Sequence, residues 1–237
     1  MGKPGQLLEH AEGLKIHPVQ LDITSAADRE EVLEQILREQ GRLDALVNNA
    51  GIVLGGYMEQ IHEDELRNVF DVNVFGTWNL TSRCLPALRD SGGIVVTISS
   101  ISGLRAFPGL GAYAATKFAL EAMFESLSQE VEPLGVRVAL VEPGTYETRI
   151  WQDNRNVCRN TFNPESPYAD YIGSLEASFD ANASKAPGDP KEVADYVVGL
   201  LVDEKPPLRQ ILWGSRRTRV LFTRSHGRMA YQLPEDV

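Results

Sequence analysis

The stretch GLGAYAATK, residues Gly109 to Lys117, can be read in two ways. Gly109, Gly111 and Ala114 fit the GxGxxG/A spacing of a turn that cradles a dinucleotide pyrophosphate, whereas Tyr113 and Lys117 form a YxxxK pair. Context decides between them. A pyrophosphate turn follows directly on a strand and opens a helix, but the nearest upstream strand signal, GIVVTIS, ends at Ser99, ten positions before Gly109. The glycines therefore belong to a loop feeding a helix, which is expected to start near Ala112 and to run to about Glu132. On that helix Tyr113, Lys117, Leu120 and Phe124 follow the i, i+4, i+7, i+11 spacing of one core-facing stripe. An ammonium held near a phenol favours the phenolate and lowers the tyrosine pKa, which suits a group that exchanges a proton with an alcohol/ketone pair. Alone, YxxxK is a common helix-surface pattern, so its meaning depends on the rest of the chain.

Outward from this helix, short apolar and β-branched runs alternate with helical patterns. KIHPVQL (Lys15–Leu21), DALVN (Asp44–Asn48), GIVVTIS (Gly93–Ser99) and VRVALVE (Val136–Glu142) read as strands. The first intervening helix is capped by Ser25, with Asp28 three residues on, and carries Val32, Leu33, Ile36 and Leu37 at helical spacing. Strands that are apolar on both faces and alternate with helices predict a parallel sheet covered on each side, a doubly wound, Rossmann-like α/β fold. The 237 residues are expected to form one domain: a core over 14–148, an aromatic-bearing insertion over 149–187 that reads as a substrate lid or else as a long surface loop, and a C-terminal helix, strand and tail over 188–237. DPKEVADYVVGLL supplies that helix and QILW the late strand.

Composition narrows the function classes. A formal net charge of −10 argues against nucleic acid as a partner, because phosphate binding draws on a basic surface. The basic residues of Lys205–Val237 are expected to form a solvated end segment. Two cysteines, Cys84 and Cys158, in a chain of this length fit a reducing compartment. With no apolar run long enough to span a bilayer and no export signal, the cytoplasm is expected. HEDE at His62 lacks HExxH spacing and marks an acidic helix start, so no metal is expected.

Four further positions carry chemistry. Ser100 follows a strand at the carboxyl end of the expected sheet, where its hydroxyl can reach a substrate oxygen or satisfy turn amides. Asn73, in DELRNVFDVNVFGTWNL, lies on the stripe of Leu66, Val69 and Thr77, so its amide should be buried and needs partners, from a functional water or from nearby backbone. LVNNAG (Leu46–Gly51) ends a strand with two asparagines and a glycine that permits close backbone approach. EPGTYET (Glu142–Thr148) ends another in a turn expected to present backbone amides to a carboxamide.

In this order and at these intervals NNAG, the buried asparagine, SSxxG, YxxxK and PGxxxT resemble the short-chain dehydrogenase/reductase family, over roughly Leu14 to Leu201. The resemblance implies an NAD(P)-dependent oxidoreductase, NAD or NADP undetermined, interconverting a secondary alcohol and a ketone. Tyr113 would be the general acid/base, Ser100 would polarise the substrate carbonyl, Lys117 would lower the tyrosine pKa and bind the nicotinamide ribose, and Asn73 would hold a proton-relay water. Asp22 would contact the adenine; Asn49, Ala50 and Gly51 would line the cofactor; Pro143, Gly144, Tyr146 and Thr148 would meet its nicotinamide end. Leu104, Phe107 and Pro108, with Trp151, Phe162, Tyr168 and Tyr171 of the lid, suggest an apolar pocket for a small hydrophobic alcohol or ketone. Helices equivalent to Asn68–Leu85 and Ala112–Glu132 commonly pair in the family, which implies a homodimer or homotetramer.

One departure stands against these matches. The family's opening strand, TGxxxGxG turn and helix have no counterpart upstream of Asp22, so an N-terminally incomplete fold is expected, its first strand-helix-strand missing. In the family's strand order, 3-2-1-4-5-6-7, this would part KIHPVQL from the sheet and expose DALVN as an edge. The alternative to an N-terminally clipped enzyme is a truncated pseudoenzyme acting as a binding or interaction module. A hydrolase using Ser100 lacks both a GxSxG elbow and a histidine in any motif.

Overall fold

The computed structural model describes residues 16–146, 148, 150, 155–173, 188–213, 216–218, 223–225 and 228–230. Its centre is a five-stranded sheet in the order β1-β3-β4-β6-β7, formed by β1 (Ala45–Asn48), β3 (Ile94–Ile98), β4 (Arg137–Pro143), β6 (Arg209–Trp213) and β7 (Arg216–Thr218). The first four are parallel and β7 returns antiparallel to β6. The alternating strand residues separate into two cores. Val95, Val138 and Leu140 pack with Leu33 of α1 (Ala26–Gln40), Cys84 and Leu88 of α3 (Thr77–Ser91), and Leu120, Phe124 and Leu127 of α4 (Gly111–Val131). Ile94, Val96, Ala139 and Val141 turn to the other face, against Val197 and Leu200 of α5 (Pro190–Val202). This period-2 division of continuous apolar runs is the mark of a sheet covered on both sides, and the Rossmann-like α/β expectation holds.

The helix ends follow their sequence signals. Ser25 caps α1 by accepting from the amide of Asp28 at 3.2 Å, and Gly41 closes it in the left-handed region at φ 73°. Asp189 caps α5 with Pro190 at its first turn. His62 precedes α2 (Glu63–Phe70), its amide donating to Glu65 Oε2 at 3.0 Å, which makes HEDE a helix start.

Three local expectations are corrected. The strand expected over Lys15–Leu21 does not form: Lys15 lies outside the described residues, Ile16 to Leu21 make no strand pairing, and Ile16 and Val19 are exposed. A short apolar run becomes a strand only when a neighbour completes the ladder, and among the described residues β1 pairs with β3 alone. The stripe of DELRNVFDVNVFGTWNL, read as one helical pattern, is interrupted by π-helical turns at Asp71–Gly76, between α2 and α3. Within 149–187, the described part forms β5 (Arg155–Val157), parallel to β2 (Val53–Gly55), a small sheet that the sequence reading did not anticipate. The strand QILW forms as part of β6; of the basic segment Lys205–Val237, expected to be solvated, Arg209 is instead buried in β6, and the side chains beyond Leu212 lie outside the described residues. No described helix is long and apolar enough to cross a membrane.

Candidate active site

The carboxyl ends of β1, β3 and β4 point the same way, and the loops leaving them carry most of the positions singled out above. The glycines of GLGAYAATK are structural. Gly109 turns the chain at φ 77°, its carbonyl accepting from the Gly56 amide at 2.9 Å, and a Cβ on Gly111 would lie 2.7 Å from Met58 Sδ. The loop thereby brings the first turn of α4 against β2.

Tyr113, in that first turn, is buried with Val53 and Leu110, with Tyr57 and Ile150 packed alongside. Across from it Ser100 leaves β3 in extended conformation and caps a short 3-10 turn, Ile101–Gly103, its Oγ accepting from the Ser102 amide at 3.0 Å. Burial pushes the Tyr113 phenol up to about 12, and a hydrogen bond with Ser100 opposes that rise. One turn further on, Lys117 donates from Nζ to the Ile98 carbonyl at 2.9 Å and lies 5.7 Å from the centre of the Tyr113 ring. Burial lowers the lysine to about 8, with the charge of Glu121 pulling the other way. The expected depression of the tyrosine by Lys117 is therefore absent from this geometry. The ammonium is engaged by a carbonyl, and desolvation of the phenolate dominates, so the phenol is held as a neutral proton donor.

Asn73, 1% exposed, sits in the π-helical turns, which re-aim it towards the chain leaving β1. Its Oδ1 accepts from the Ile52 amide at 2.9 Å, and its Nδ2 donates to the Ile52 carbonyl at 2.9 Å and to Thr116 Oγ1 at 3.1 Å. Thr116 in turn donates to the Tyr113 carbonyl at 2.7 Å. The amide thus binds nearby backbone and ties the NNAG loop to the helix of Tyr113. Gly51 lies close beside it, since a Cβ there would meet Asn73 Oδ1 at 3.3 Å.

The remaining positions divide. Asn49 and Ala50 are exposed at the end of β1, and Pro143, the last residue of β4, is half-buried, as are Gly144 and Thr148 beyond it. Proline has no N–H and the Gly144 amide donates to the Leu212 carbonyl at 2.8 Å, so neither of these two presents the backbone donor expected of the turn. Tyr146 is turned into the α5 side of the core, against Gly188, with its hydroxyl 3.4 Å from Glu192 Oε2. Asp22 closes the turn before α1, its Oδ1 accepting from the amide and hydroxyl of Thr24 at 2.9 and 2.7 Å. Those bonds hold its carboxyl below the usual range. Of the apolar positions, Leu104 and Phe107 are half-buried, Phe162 and Tyr171 exposed, and Trp151 lies outside the described residues. Tyr168 stacks on Tyr57 at 4.6 Å, which docks this part of the 149–187 insertion beside the wall of Tyr113.

Sequence reasoning missed Thr116, which adjoins the YxxxK lysine, and gave no role to Gly103, the glycine of SSxxG, whose missing side chain leaves room for its neighbours. A Cβ at Gly103 would come within 2.9 Å of Ser99 Oγ, 3.0 Å of Glu121 Cγ and 3.2 Å of the Lys117 carbonyl.

The arrangement agrees with the comparisons. Residues 3–158 match the family described as short chain dehydrogenase. An uncharacterized oxidoreductase, YusZ of Bacillus subtilis, is 37% identical over 78% of this chain and 66% of its own length. A 3-ketodihydrosphingosine reductase of Bacteroides thetaiotaomicron is 34% identical over 89% of this chain and 77% of its own. A crystal structure of a short-chain dehydrogenase from Streptomyces avermitilis superposes with a TM-score of 0.78 at 36% identity, covering 89% of this chain and 76% of that one. The chain thus spans about two thirds to three quarters of these proteins' lengths. With the family model matched over residues 3–158 and relatives and a solved structure at 34 to 37% identity, the chain belongs to the short-chain dehydrogenase family.

Proposed function

We propose that the protein reduces a hydrophobic ketone to a secondary alcohol, or runs the reverse reaction, with NAD or NADP as the hydride partner and Tyr113 as general acid/base. The observation that carries this reading is the buried Tyr113 phenol, with the Ser100 hydroxyl opposing the rise in its pKa and Lys117 one helical turn on. Family members use NAD(P), and the residues present fit its nicotinamide-ribose end. A lysine ammonium and a phenol lie between the open ends of β1 and β4, where Asn49 and Ala50 are exposed and Gly51 carries no Cβ. When bound, the cofactor supplies or accepts the hydride at the carbonyl carbon. Ser100 would hold the substrate oxygen, and Tyr113 would give that oxygen its proton as the C–O double bond becomes single; oxidation returns the proton to Tyr113. Lys117 would hold the ribose and the positive charge that favours the transient phenolate. Asn73 would act chiefly by fixing Ile52 and Thr116, and any relay water would lie on the backbone that it shapes.

Leu104, Phe107 and the docked Tyr57–Tyr168 stack support an apolar substrate, and the name of the Bacteroides relative points to a long-chain ketone. Exposed Phe75 and Phe118 support pairing of the chain with a second copy. The test is oxidation of NADH or NADPH by the full chain against a panel of long-chain and cyclic ketones, with Tyr113→Phe as the comparison. Loss of turnover in that variant, by at least about a hundredfold, is expected. Undiminished turnover would refute the assignment, and a wild-type chain that binds neither dinucleotide would favour the binding-module alternative.

A further inference from the structure

Residues 155–171 run along the β2 side of the site and are fastened there at several points. β5 pairs with β2, Arg155 opposite Val53 and Val157 opposite Gly55, and the Cys158 amide donates to the Gly55 carbonyl at 2.8 Å. Cys158 is buried with Leu54, Val69 and Ala112, and a Cβ on Gly56 would collide with its Sγ. The Arg159 amide donates to Glu65 Oε1 at 2.9 Å. Gln60, 5% exposed, donates from Nε2 to the Asn160 carbonyl at 3.0 Å and to Ser166 Oγ at 2.8 Å. Tyr57 and Tyr168 stack with their rings 16° from parallel, and both hydroxyls are engaged: Tyr168 donates to Glu59 Oε2 at 2.8 Å and Tyr57 to the Tyr171 carbonyl at 3.4 Å.

We propose that Tyr57 is a specificity-determining residue, and that residues 155–171 are a fixed strap that holds its ring in place. The inference rests on the role given above to Tyr113. Tyr57 packs on the cluster of Val53, Leu110 and Tyr113, so its ring borders the reacting phenol on the β2 side. Tyr168 covers one face of that ring, and the hydroxyl is tied to Tyr171, so the ring swings aside only by giving up both contacts. A substrate oxygen held by Tyr113 and Ser100 brings the carbonyl carbon next to this wall. One of the two groups on that carbon must then pass Tyr57, while the other extends away from it. A loosely held segment would yield to a large group; a strap bonded to β2, Gln60 and Glu65 does not. The substrate class that fits is a ketone, or its alcohol, with one small and one long apolar group, a shape selection that preformed apolar walls supply.

The test uses the full chain, NADH or NADPH, and two isomers of one long-chain ketone: a methyl ketone and the isomer with its carbonyl at mid-chain. The isomers carry the same atoms, so the ratio of their kcat/KM values reads the space beside the carbonyl. The unaltered chain should favour the methyl ketone by at least about tenfold, and Tyr57→Ala should cut that preference by about tenfold, the scale on which a pocket discriminates methylene groups. Tyr57→Phe keeps the ring and should retain the preference. Gln60→Ala, which frees the strap at Asn160 and Ser166, should lower it. Should Tyr57→Ala not fold, Tyr57→Leu carries the test with the same sign expected. No preference in the unaltered chain, or an unchanged ratio in the folded variant, would overturn the inference while leaving the reductase reading standing. Absence of turnover on every ketone with either dinucleotide would remove both. Hydrogen exchange reads the strap without turnover: the Cys158 amide should exchange at least about a hundredfold more slowly than in the unfolded chain, and faster in Gln60→Ala. Exchange of that amide at the unfolded rate in the unaltered protein would refute a fixed strap.

Discussion

Replacing Asn73 with aspartate exchanges one NH2 for one oxygen and leaves the shape of the side chain unchanged. In the folded protein that NH2 donates to the Ile52 carbonyl at 2.9 Å and to Thr116 Oγ1 at 3.1 Å, in a position 1% exposed. Asn73→Asp keeps the acceptor for the Ile52 amide but sets a carboxylate oxygen against the Ile52 carbonyl. Thr116 cannot compensate fully, because its hydroxyl already donates to the Tyr113 carbonyl at 2.7 Å. One carbonyl left without its donor and one buried charge amount to a loss of about 2 to 4 kcal/mol. With a urea slope of about 2 kcal/mol/M, the unfolding midpoint at pH 8 should fall by about 1 M or more. The pH dependence fixes the cause. Burial raises the pKa of the introduced carboxyl in the folded state above its unfolded value of about 3.9, so the folded state binds the proton more tightly. The stability loss is then largest above the folded pKa and recedes as pH falls through it, because the protonated carboxyl regains a donor for the Ile52 carbonyl. Midpoints for the variant and the unaltered chain at pH 8 and at pH 5 should therefore converge. A midpoint shift below about 0.2 M at pH 8, or a gap that widens on acidification, would refute the view that Asn73 fastens the NNAG loop to the helix of Tyr113.

Three further outcomes follow from the same geometry. Gly103→Ala should destabilise the fold by about 1 to 3 kcal/mol, since its Cβ would press on Ser99 Oγ, Glu121 Cγ and the Lys117 carbonyl; thermal unfolding showing no loss would contradict the crowding. Glu142→Gln should become more stable relative to the unaltered chain as pH rises between the ordinary carboxyl value of 4.5 and about 9. In that window the folded protein alone retains the Glu142 proton, so the native chain loses stability with rising pH while the variant, which cannot titrate there, does not; a pH-independent difference in urea midpoints would exclude this. Phe118→Glu places a charge on an exposed apolar position of α4, and light scattering should show a smaller assembly than the unaltered chain forms, whereas an unchanged mass would remove α4 from any interface.

Much of the site was legible in the sequence because its parts are local. Ser100 and Tyr113 lie thirteen positions apart across one loop, and Tyr113 and Lys117 share a helix face, so spacing alone brings them near each other. The burial of Asn73 followed from its stripe. Its partners did not, because the π-helical turns that aim it at Ile52 leave no mark in a helical pattern. The strand expected over Lys15–Leu21 shows the limit from the other side: the apolar run is there, but a strand requires a neighbour, and sequence pattern carries no record of one. Tyr146 and Gly144 adjoin a nicotinamide-like turn in sequence, yet one faces the core of α5 and the other bonds β6.

By itself the sequence determined the alternation of strands and helices, the buried stripe of α4 and the set of hydroxyl, phenol and ammonium groups at the strand ends, all consequences of 2.0 and 3.6 residue periods. Only the tertiary structure decided which charges meet. Glu121, Glu142 and Arg209 come from α4, β4 and β6, and the ion pair between Glu121 and Arg209 spans 88 positions of chain. Burial, which sets the pKa of Tyr113, Lys117 and Glu142, likewise depends on everything packed around them, so their protonation states belong to the fold rather than to any motif.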